Sequence, residues 1–185
     1  MTALFIIIAI PVVLALAIVG WAIATYNSFV SLRELVRNAM GQIAAQIESR
    51  WDAISSLINA ARQYAEFESS TLTNITAQRR PLTARSSVND ATADDANFAT
   101  VLSGINALAE NYPELKTSEV YINAMNAIRE FENNVRSARM IYNDSATKLN
   151  RKVLSFPAMI IAKMFGFHEE AYFQNTASKA EMPSW

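Results

Sequence analysis

The fold is decided by the stretch ALFIIIAIPVVLALAIVGWAIA, residues 3–24. As a helix, these 22 residues would extend ~33 Å, about the thickness of the hydrocarbon layer of a bilayer. Pro11 and Gly20 do not argue against a span, because both residue types are tolerated in membrane helices. The first charged side chain is Arg33. The sequence therefore predicts a transmembrane anchor over residues 1–25.

A cleaved signal peptide is the alternative interpretation of this stretch. Ala22-Ile23-Ala24 fits a small-x-small cleavage site. However, no Lys or Arg precedes the apolar run, and the run is longer than the apolar region of a typical signal peptide. Trp21 and Tyr26 also lie near its end, where aromatic rings favour the membrane interface. We therefore expect the anchor to remain uncleaved.

A long amphipathic helix is predicted directly behind the anchor. Apolar or small residues recur there at steps of three or four, which is helical periodicity. No proline occurs between Val12 and Arg80, so the span can continue into a helix over Tyr26–Gln78, ~80 Å long at helical rise. A helix with such a narrow apolar stripe needs partner helices. The stripe is Phe29, Leu32, Val36, Ala39, Ile43, Ile47, Trp51, Ile54, Ile58, Ala61, Ala65, Leu72 and Ile75.

A polar segment, residues 81–95, follows this helix and is rich in Ser, Thr, Ala and Asp. We expect it to be an exposed, flexible connection. Asp94 or Asp95 can cap the next helix. Tyr112-Pro113 closes that helix, because the residue before a proline avoids helical geometry. Its predicted apolar face is Phe98, Val101, Leu102, Ile105, Leu108 and Ala109.

Two further helices complete the predicted bundle. One starts at Thr117 or Ser118 and stops at Phe156-Pro157. The other is short and apolar, residues 158–165, with Gly166 as its left-handed C-cap. The predicted fold class is all-α: a transmembrane helix that continues into a bundle of three longer helices and a short C-terminal one. The apolar stripe of the third helix is Tyr121, Met125, Ile128, Val135, Ala138, Tyr142, Leu149 and Val153.

Composition excludes several classes of site. The chain of 185 residues has no cysteine, one histidine (His168), four glycines and a net charge of -1. These counts exclude thiol catalysis and cysteine zinc sites, and they argue against glycine-rich nucleotide loops and nucleic-acid binding. His168 beside Glu169-Glu170 is better interpreted as solvated tail than as a metal site. We predict no catalytic residues, no cofactor and no enzymatic activity.

Polar residues of the third helix have two interpretations. Glu132 can form a surface pair with Arg136 four residues on, or it can be a buried group paired with an arginine of a neighbouring helix. Tyr142-Asn143 and Asn150 lie near the Phe156-Pro157 corner. We expect structural hydrogen bonds from them rather than solvated surface.

Two apolar surfaces are candidates for association. Gly20, Ala24 and Ser28 form a small-xxx-small ridge at the membrane exit, which is either chance or a packing seam between membrane helices. The segment AMIIAKMFGF, residues 158–167, is too short to span a bilayer. We expect it to cap the bundle core; insertion at the membrane interface or partner docking is the alternative.

An ordered set of short strings resembles the LemA family of bacterial membrane-anchored helical proteins. The resemblance implies one membrane helix followed by an antiparallel helical bundle, and no established enzymatic activity. We also predict that Arg139 is a structural polar residue, together with Glu132, Tyr142, Asn143 and Asn150. The strings are Tyr26-Asn27 with Val30, Leu32 and Arg33; Ala39 with Gln42-Ile43; Gln46-Ile47 with Arg50 and Asp52; Tyr64-Ala65 with Glu68 and Leu72; Tyr112-Pro113-Glu114-Leu115-Lys116; Glu132; Ala138-Arg139 with Tyr142-Asn143; Asn150; Phe156-Pro157; and Ala162-Lys163 with Phe165-Gly166-Phe167.

The chain departs from the family pattern at four positions. The family usually has Trp at Met40, an acidic residue at Ala44, Pro at Ser55 and His at Phe67. It is therefore identified as a divergent member. Roles of those family residues do not transfer to this chain.

These observations predict a non-enzymatic, membrane-anchored scaffold. We expect it to self-associate as a homo-oligomer in the lipid bilayer and to organise or shape the membrane. The alternative is a signalling adaptor that docks an unidentified protein on residues 81–95 or on the aromatic tail, residues 167–185, which contains Phe167, Tyr172, Phe173 and Trp185. Predicted domains are the anchor 1–25, the bundle 26–173 and the tail 174–185. Because Arg33 and Arg37 follow the span, we expect a single-pass bacterial inner-membrane protein with its C-terminal domain in the cytoplasm.

Overall fold

The computed structural model describes residues 2–61, 79 and 81–174. These residues form helices and connecting turns, without a β-strand. The predicted all-α fold class is confirmed. The helices in this part of the chain are α1 (Thr2–Ala61), α2 (Val88–Asn111), α3 (Pro113–Lys116), α4 (Glu119–Leu154) and α5 (Ala158–Phe165).

Helix α1 is a single element of 60 residues that continues through Pro11. It contains an 18-residue window of mean hydropathy 2.1, of which only 6% is buried. By length and composition it can cross a membrane. The predicted extension of this helix towards Gln78 lies largely in residues 62–78, outside the described residues.

The start of α2 differs from the prediction. The helix begins at Val88, so residues 88–95 are helical rather than a flexible connection, and neither Asp94 nor Asp95 caps it. The cap is Ser87, whose hydroxyl accepts a hydrogen bond from the Asp90 amide at 3.2 Å, while the Asp90 carboxylate accepts one from the Ser87 amide at 2.9 Å. This capping box satisfies two amide donors of the first turn, which explains why a polar sequence begins a helix.

The other helix ends follow their local signals. Helix α2 ends at Asn111, just before Tyr112-Pro113, as predicted. Pro113 then opens the one-turn helix α3, which the sequence analysis did not anticipate although proline is favoured at the first helical position. Helix α5 covers the predicted residues, and Gly166 ends it with φ 69°.

The contacts divide the chain into two compact units. Over the described residues, the first unit consists of residues 2–36 and 144–171, and the second of residues 37–143 and 172–174. Helices α1 and α4 therefore contribute to both. The predicted division into an anchor (1–25), a bundle (26–173) and a tail (174–185) has other boundaries, and it stays a prediction.

The second unit has an apolar core drawn from three helices. Helices α2 and α4 run antiparallel there, because Asp95 pairs with Arg139 whereas Asn106, further along α2, accepts a hydrogen bond from Tyr121. The predicted stripe residues form the centre of this core. Among those less than 5% exposed are Ala39, Ile43, Ile47, Trp51, Ile54, Ile58, Phe98, Val101, Ile105, Ala109, Ile128, Val135 and Tyr142.

Candidate functional site

A buried arginine is the centre of the second unit. Arg50 lies on α1 with 1% of its surface exposed. Its Nη1 donates to Glu132 on α4 at 2.5 Å, and its Nη2 to Asp94 and Asp95 on α2 at 3.1 and 3.2 Å. A buried charge is costly unless it is paired and hydrogen-bonded. One guanidinium therefore joins three helices.

Asp94 has a second donor. It is fully buried, and the Trp51 indole Nε1 donates to both of its carboxylate oxygens at 3.1 Å. The Trp51 ring packs edge-to-face on Phe98 at 5.3 Å, and the Arg50 guanidinium lies 3.9 Å above the same Phe98 ring. Ring contacts of these two kinds are favourable beyond the apolar area that they bury. This apolar packing thus shields the ion pair from water.

Arg139 connects these charged groups to the segment after α5, residues 167–174, called the C-terminal segment. Its Nη2 donates to Asp95, and its guanidinium lies 4.9 Å above the Phe173 ring. We call Arg50, Asp94, Asp95, Glu132 and Arg139 the ionic cluster. Two guanidinium groups among three carboxylates leave one formal negative charge. The Nε atoms of the two arginines are buried, with no acceptor within the described residues.

Two asparagines of α4 hold the C-terminal segment by its backbone. In the second unit the Asn143 amide donates to the Phe173 carbonyl and accepts from the Phe173 amide, both at 2.9 Å. In the first unit Asn150 does the same with Glu170, at 2.9 and 2.8 Å. Residues 167–174 form no helix or strand, so their backbone amides and carbonyls need other hydrogen-bond partners. The two asparagine side chains, which can donate and accept at once, provide such partners at Glu170 and Phe173.

The first unit contains an aromatic cluster in which Tyr26, Phe29, Phe165 and Phe167 take part. Tyr26 lies edge-to-face on Phe165 at 4.8 Å, and Phe29 stacks on Phe167 at 4.9 Å. Arg33 lies 5.0 Å above the Phe167 ring.

Basic and small residues also meet in the first unit. The Lys152 ammonium lies 5.4 Å from the centre of the Phe29 ring and donates to the Ser28 hydroxyl. Ser28 was predicted to belong to a small-residue packing ridge; the structure shows it in contact with its own chain. Ala24 is exposed, and a Cβ atom added at Gly20 would meet nothing within 4 Å.

The structure therefore brings some predicted site residues together and leaves others apart. Glu132 and Arg139 lie in the ionic cluster, whereas Asn143 and Asn150 bind the C-terminal backbone. Tyr142 is buried against Phe173, with ring centres 5.1 Å apart. Gly20 and Ala24 remain on an open helix surface.

Sequence reasoning missed Arg50, Trp51 and Asp94 as a polar site. Trp51 was placed in the apolar stripe because of its spacing, and nothing in the sequence indicated that its Nε1 would donate to a carboxylate. Asp94 lies four residues before Phe98 and hence on the same face of α2, which was the available signal for its burial. No group of three His, Cys, Asp or Glu side chains that could hold a metal ion occurs in the described part of the chain.

The comparisons with known proteins agree on one family. The LemA family model matches residues 39–184. Magnetosome protein MamQ 2 of Paramagnetospirillum magneticum is 21% identical over 191 residues, which cover 89% of this chain and 70% of the relative. Magnetosome protein MamQ of Magnetospirillum gryphiswaldense is 21% identical over 90% of this chain and 71% of its own length.

A third relative carries the family's name. Protein LemA of Metamycoplasma hominis is 27% identical over 143 residues, which cover 75% of this chain and 64% of the relative. The low identities fit a divergent member. Because the family model covers most of the sequence, including the ionic cluster and both asparagines, this chain belongs to the LemA family.

Proposed function

We propose that this protein is a non-enzymatic, membrane-anchored helical scaffold that self-associates at the membrane and organises or shapes it. One observation carries the proposal: α1 continues without a break from an exposed apolar segment into the packed core of the second unit. The proposed function includes no chemical step, and it needs only an anchor, an association surface and a rigid body.

The exposed surface of α1 supports the anchor. Ile10, Val13, Leu16 and Ile23 are 57%, 65%, 67% and 57% exposed, although they lie in the most apolar part of the chain. Burying one such side chain stabilises by roughly 1.5–3 kcal/mol. Exposing several such side chains to water is therefore unfavourable, whereas the hydrocarbon layer of a bilayer would bury all of them. The length of the segment matches a bilayer.

Gly20 and Ala24 support self-association. They lie four residues apart, on one face of α1, and both are open in the structure. Between helices in lipid, association depends on close packing, which small residues allow. Because Ser28 is engaged by Lys152, we limit the proposed seam to Gly20 and Ala24.

The ionic cluster supports a rigid body. It joins α1, α2 and α4 through hydrogen bonds that require all three helices in one register. Breaking such a buried pair is strongly unfavourable, so alternative packings of the helices are disfavoured. A scaffold requires a body that keeps its shape when copies associate.

The adaptor alternative has less support. Its predicted docking segment 81–95 is helical from Val88, and Val88, Ala91 and Asp94 are buried. Of the aromatic tail, Phe167 and Phe173 are also buried, at 6% and 5% exposure. These five side chains are thus already covered within the chain, whereas most other residues of 81–95 are exposed.

The test of the scaffold is the mass of the full chain in lipid nanodiscs, measured by native mass spectrometry. We expect oligomers for the unmodified chain and a shift to monomer for Gly20→Leu, because a large side chain prevents close approach. Ala15→Leu is the matched control: it adds bulk to an exposed position on the other side of α1. A chain that stays monomeric at all protein-to-lipid ratios would contradict self-association.

A further inference from the structure

Helix α5 presents apolar side chains on its outer face as well as on its inner face. Of its residues only Ile161 and Ala162 are buried. Ile160 and Met164, four residues apart and hence on one face, are 48% and 69% exposed, and Phe156 just before the helix is 80% exposed. A helix that only capped an apolar core would turn polar residues outward.

The contacts of α5 place it at the end of the apolar segment of α1. Tyr26, two residues after the segment ends at Ala24, packs on Phe165 at 4.8 Å. Within the same unit Phe29 stacks on Phe167, immediately after the C-cap of α5. If α1 spans the bilayer, these contacts hold α5 at the depth where hydrocarbon meets headgroups.

The charges around α5 favour an anionic lipid surface over a protein groove. Residues 151–165 contain Arg151, Lys152 and Lys163 and no acidic residue, and Glu169 and Glu170 follow beyond the end of α5. Arg151 and Lys163 are exposed. Basic residues beside apolar ones are typical of helices that lie in the membrane interface, where they contact anionic headgroups. With eight residues, or ~12 Å, α5 is far too short to span.

We propose that α5 and the preceding Phe156 form a second membrane contact: Phe156, Ile160 and Met164 insert into the acyl–headgroup boundary, and the exposed Arg151 and Lys163 bind anionic lipid headgroups. This inference rests on the proposed membrane anchor. It gives the first unit two attachments, a span and an interfacial helix, which together restrict how the chain can tilt at the membrane surface.

Spin labels test the inference directly, because the chain has no cysteine and each introduced cysteine is unique. The full chain, carrying Met164→Cys or Ile160→Cys, is labelled and placed in nanodiscs of phosphatidylcholine and phosphatidylglycerol. Collision rates with oxygen, which concentrates in hydrocarbon, and with a water-soluble nickel chelate give the depth of each label. Leu16→Cys reports the span. Met140→Cys is the matched control, since Met140 is 60% exposed on the second unit.

We expect the oxygen-to-nickel collision ratio at 160 and 164 to lie well above that at 140 and to approach that at 16. A ratio at both α5 positions equal to that at 140, with a high ratio at 16, overturns the inference and leaves the anchor standing. Low access of both reagents at 160 and 164 shows a covering protein or second copy and also overturns it. A low ratio at 16 overturns the anchor and, with it, the inference.

Discussion

The two units of this protein place charge and apolar surface in opposite ways. In the second unit Arg50 and Asp94 are at most 1% exposed, although their partners Asp95 and Glu132 are partly exposed. In the first unit large apolar side chains such as Leu16 and Met164 are more than half exposed. The second unit thus keeps one charge pair, Arg50 and Asp94, away from water, whereas the first unit exposes large apolar side chains.

Arginines show the same contrast. Arg50 and Arg139 stack on Phe98 and Phe173, and both also bind carboxylates. Arg33 of the first unit stacks on Phe167. The stacking contact is common to both units, whereas the buried network of several carboxylates belongs to the second. A substitution that removes this network is therefore expected to have an effect that no substitution in the first unit equals.

The largest expected effect comes from Arg50→Met. This substitution keeps a long apolar side chain but leaves the buried Asp94 with Trp51 as its remaining partner. Removing one partner of a buried pair costs about 3–5 kcal/mol. We expect that loss in the free energy of unfolding of the full chain in detergent, measured by urea titration of tryptophan fluorescence. Arg79→Met is the control, because Arg79 pairs with Glu48 and Asp52 at the surface; we expect at most about 1 kcal/mol. Equal losses for the two variants would show that burial of the cluster contributes nothing.

An intermediate effect is expected from the asparagines. Asn150→Ala removes two hydrogen bonds to Glu170 and leaves its backbone groups without these partners. We expect a loss of roughly 1–3 kcal/mol and faster hydrogen exchange at the Glu170 amide, read by mass spectrometry. For Asn143→Ala, we expect the faster exchange at the Phe173 amide instead. The exposed Asn134→Ala is the control, with a change within about 0.5 kcal/mol. Unchanged exchange at both amides would contradict the assignment.

The smallest effects come from a pair of glycines. Gly166 has φ 69°, and an added Cβ meets nothing within 4 Å, so Gly166→Ala costs only the strain of a left-handed residue, about 1–2 kcal/mol. Gly104 lies inside α2 with equally open space, so Gly104→Ala stabilises by about 0.5–1 kcal/mol. Thermal unfolding of both variants checks the opposite signs. A stabilising Gly166→Ala would show that the C-cap of α5 is not formed.

Local signals in the sequence predicted much of this fold. The three-and-four spacing of Ile43, Ile47, Trp51 and Ile54 predicted a buried stripe, and Gly166 predicted the end of α5. Residues close together in the sequence determine these features, so each feature can be predicted from one short segment.

The ionic cluster could not be predicted in the same way. Arg50 and Asp94 are 44 residues apart, and the burial of each becomes favourable only when the other is present. From neighbouring sequence alone, either Asp94 or Asp95 is a candidate helix cap, whereas the structure has Ser87 in that role. Glu132 had two interpretations, a surface pair with Arg136 or a buried pair with an arginine of another helix. It pairs with Arg50 of α1, and its side chain is 45% exposed.

The most direct test of the membrane-anchored scaffold follows reactivity along α1. The full chain with Leu16→Cys or Ser56→Cys is placed in nanodiscs, where both faces of the bilayer meet water, and treated with a charged maleimide. We expect Ser56→Cys to react at once, whereas Leu16→Cys reacts only after the discs are dissolved in sodium dodecyl sulfate. Reaction of Leu16→Cys in intact discs at the rate of Ser56→Cys would contradict it.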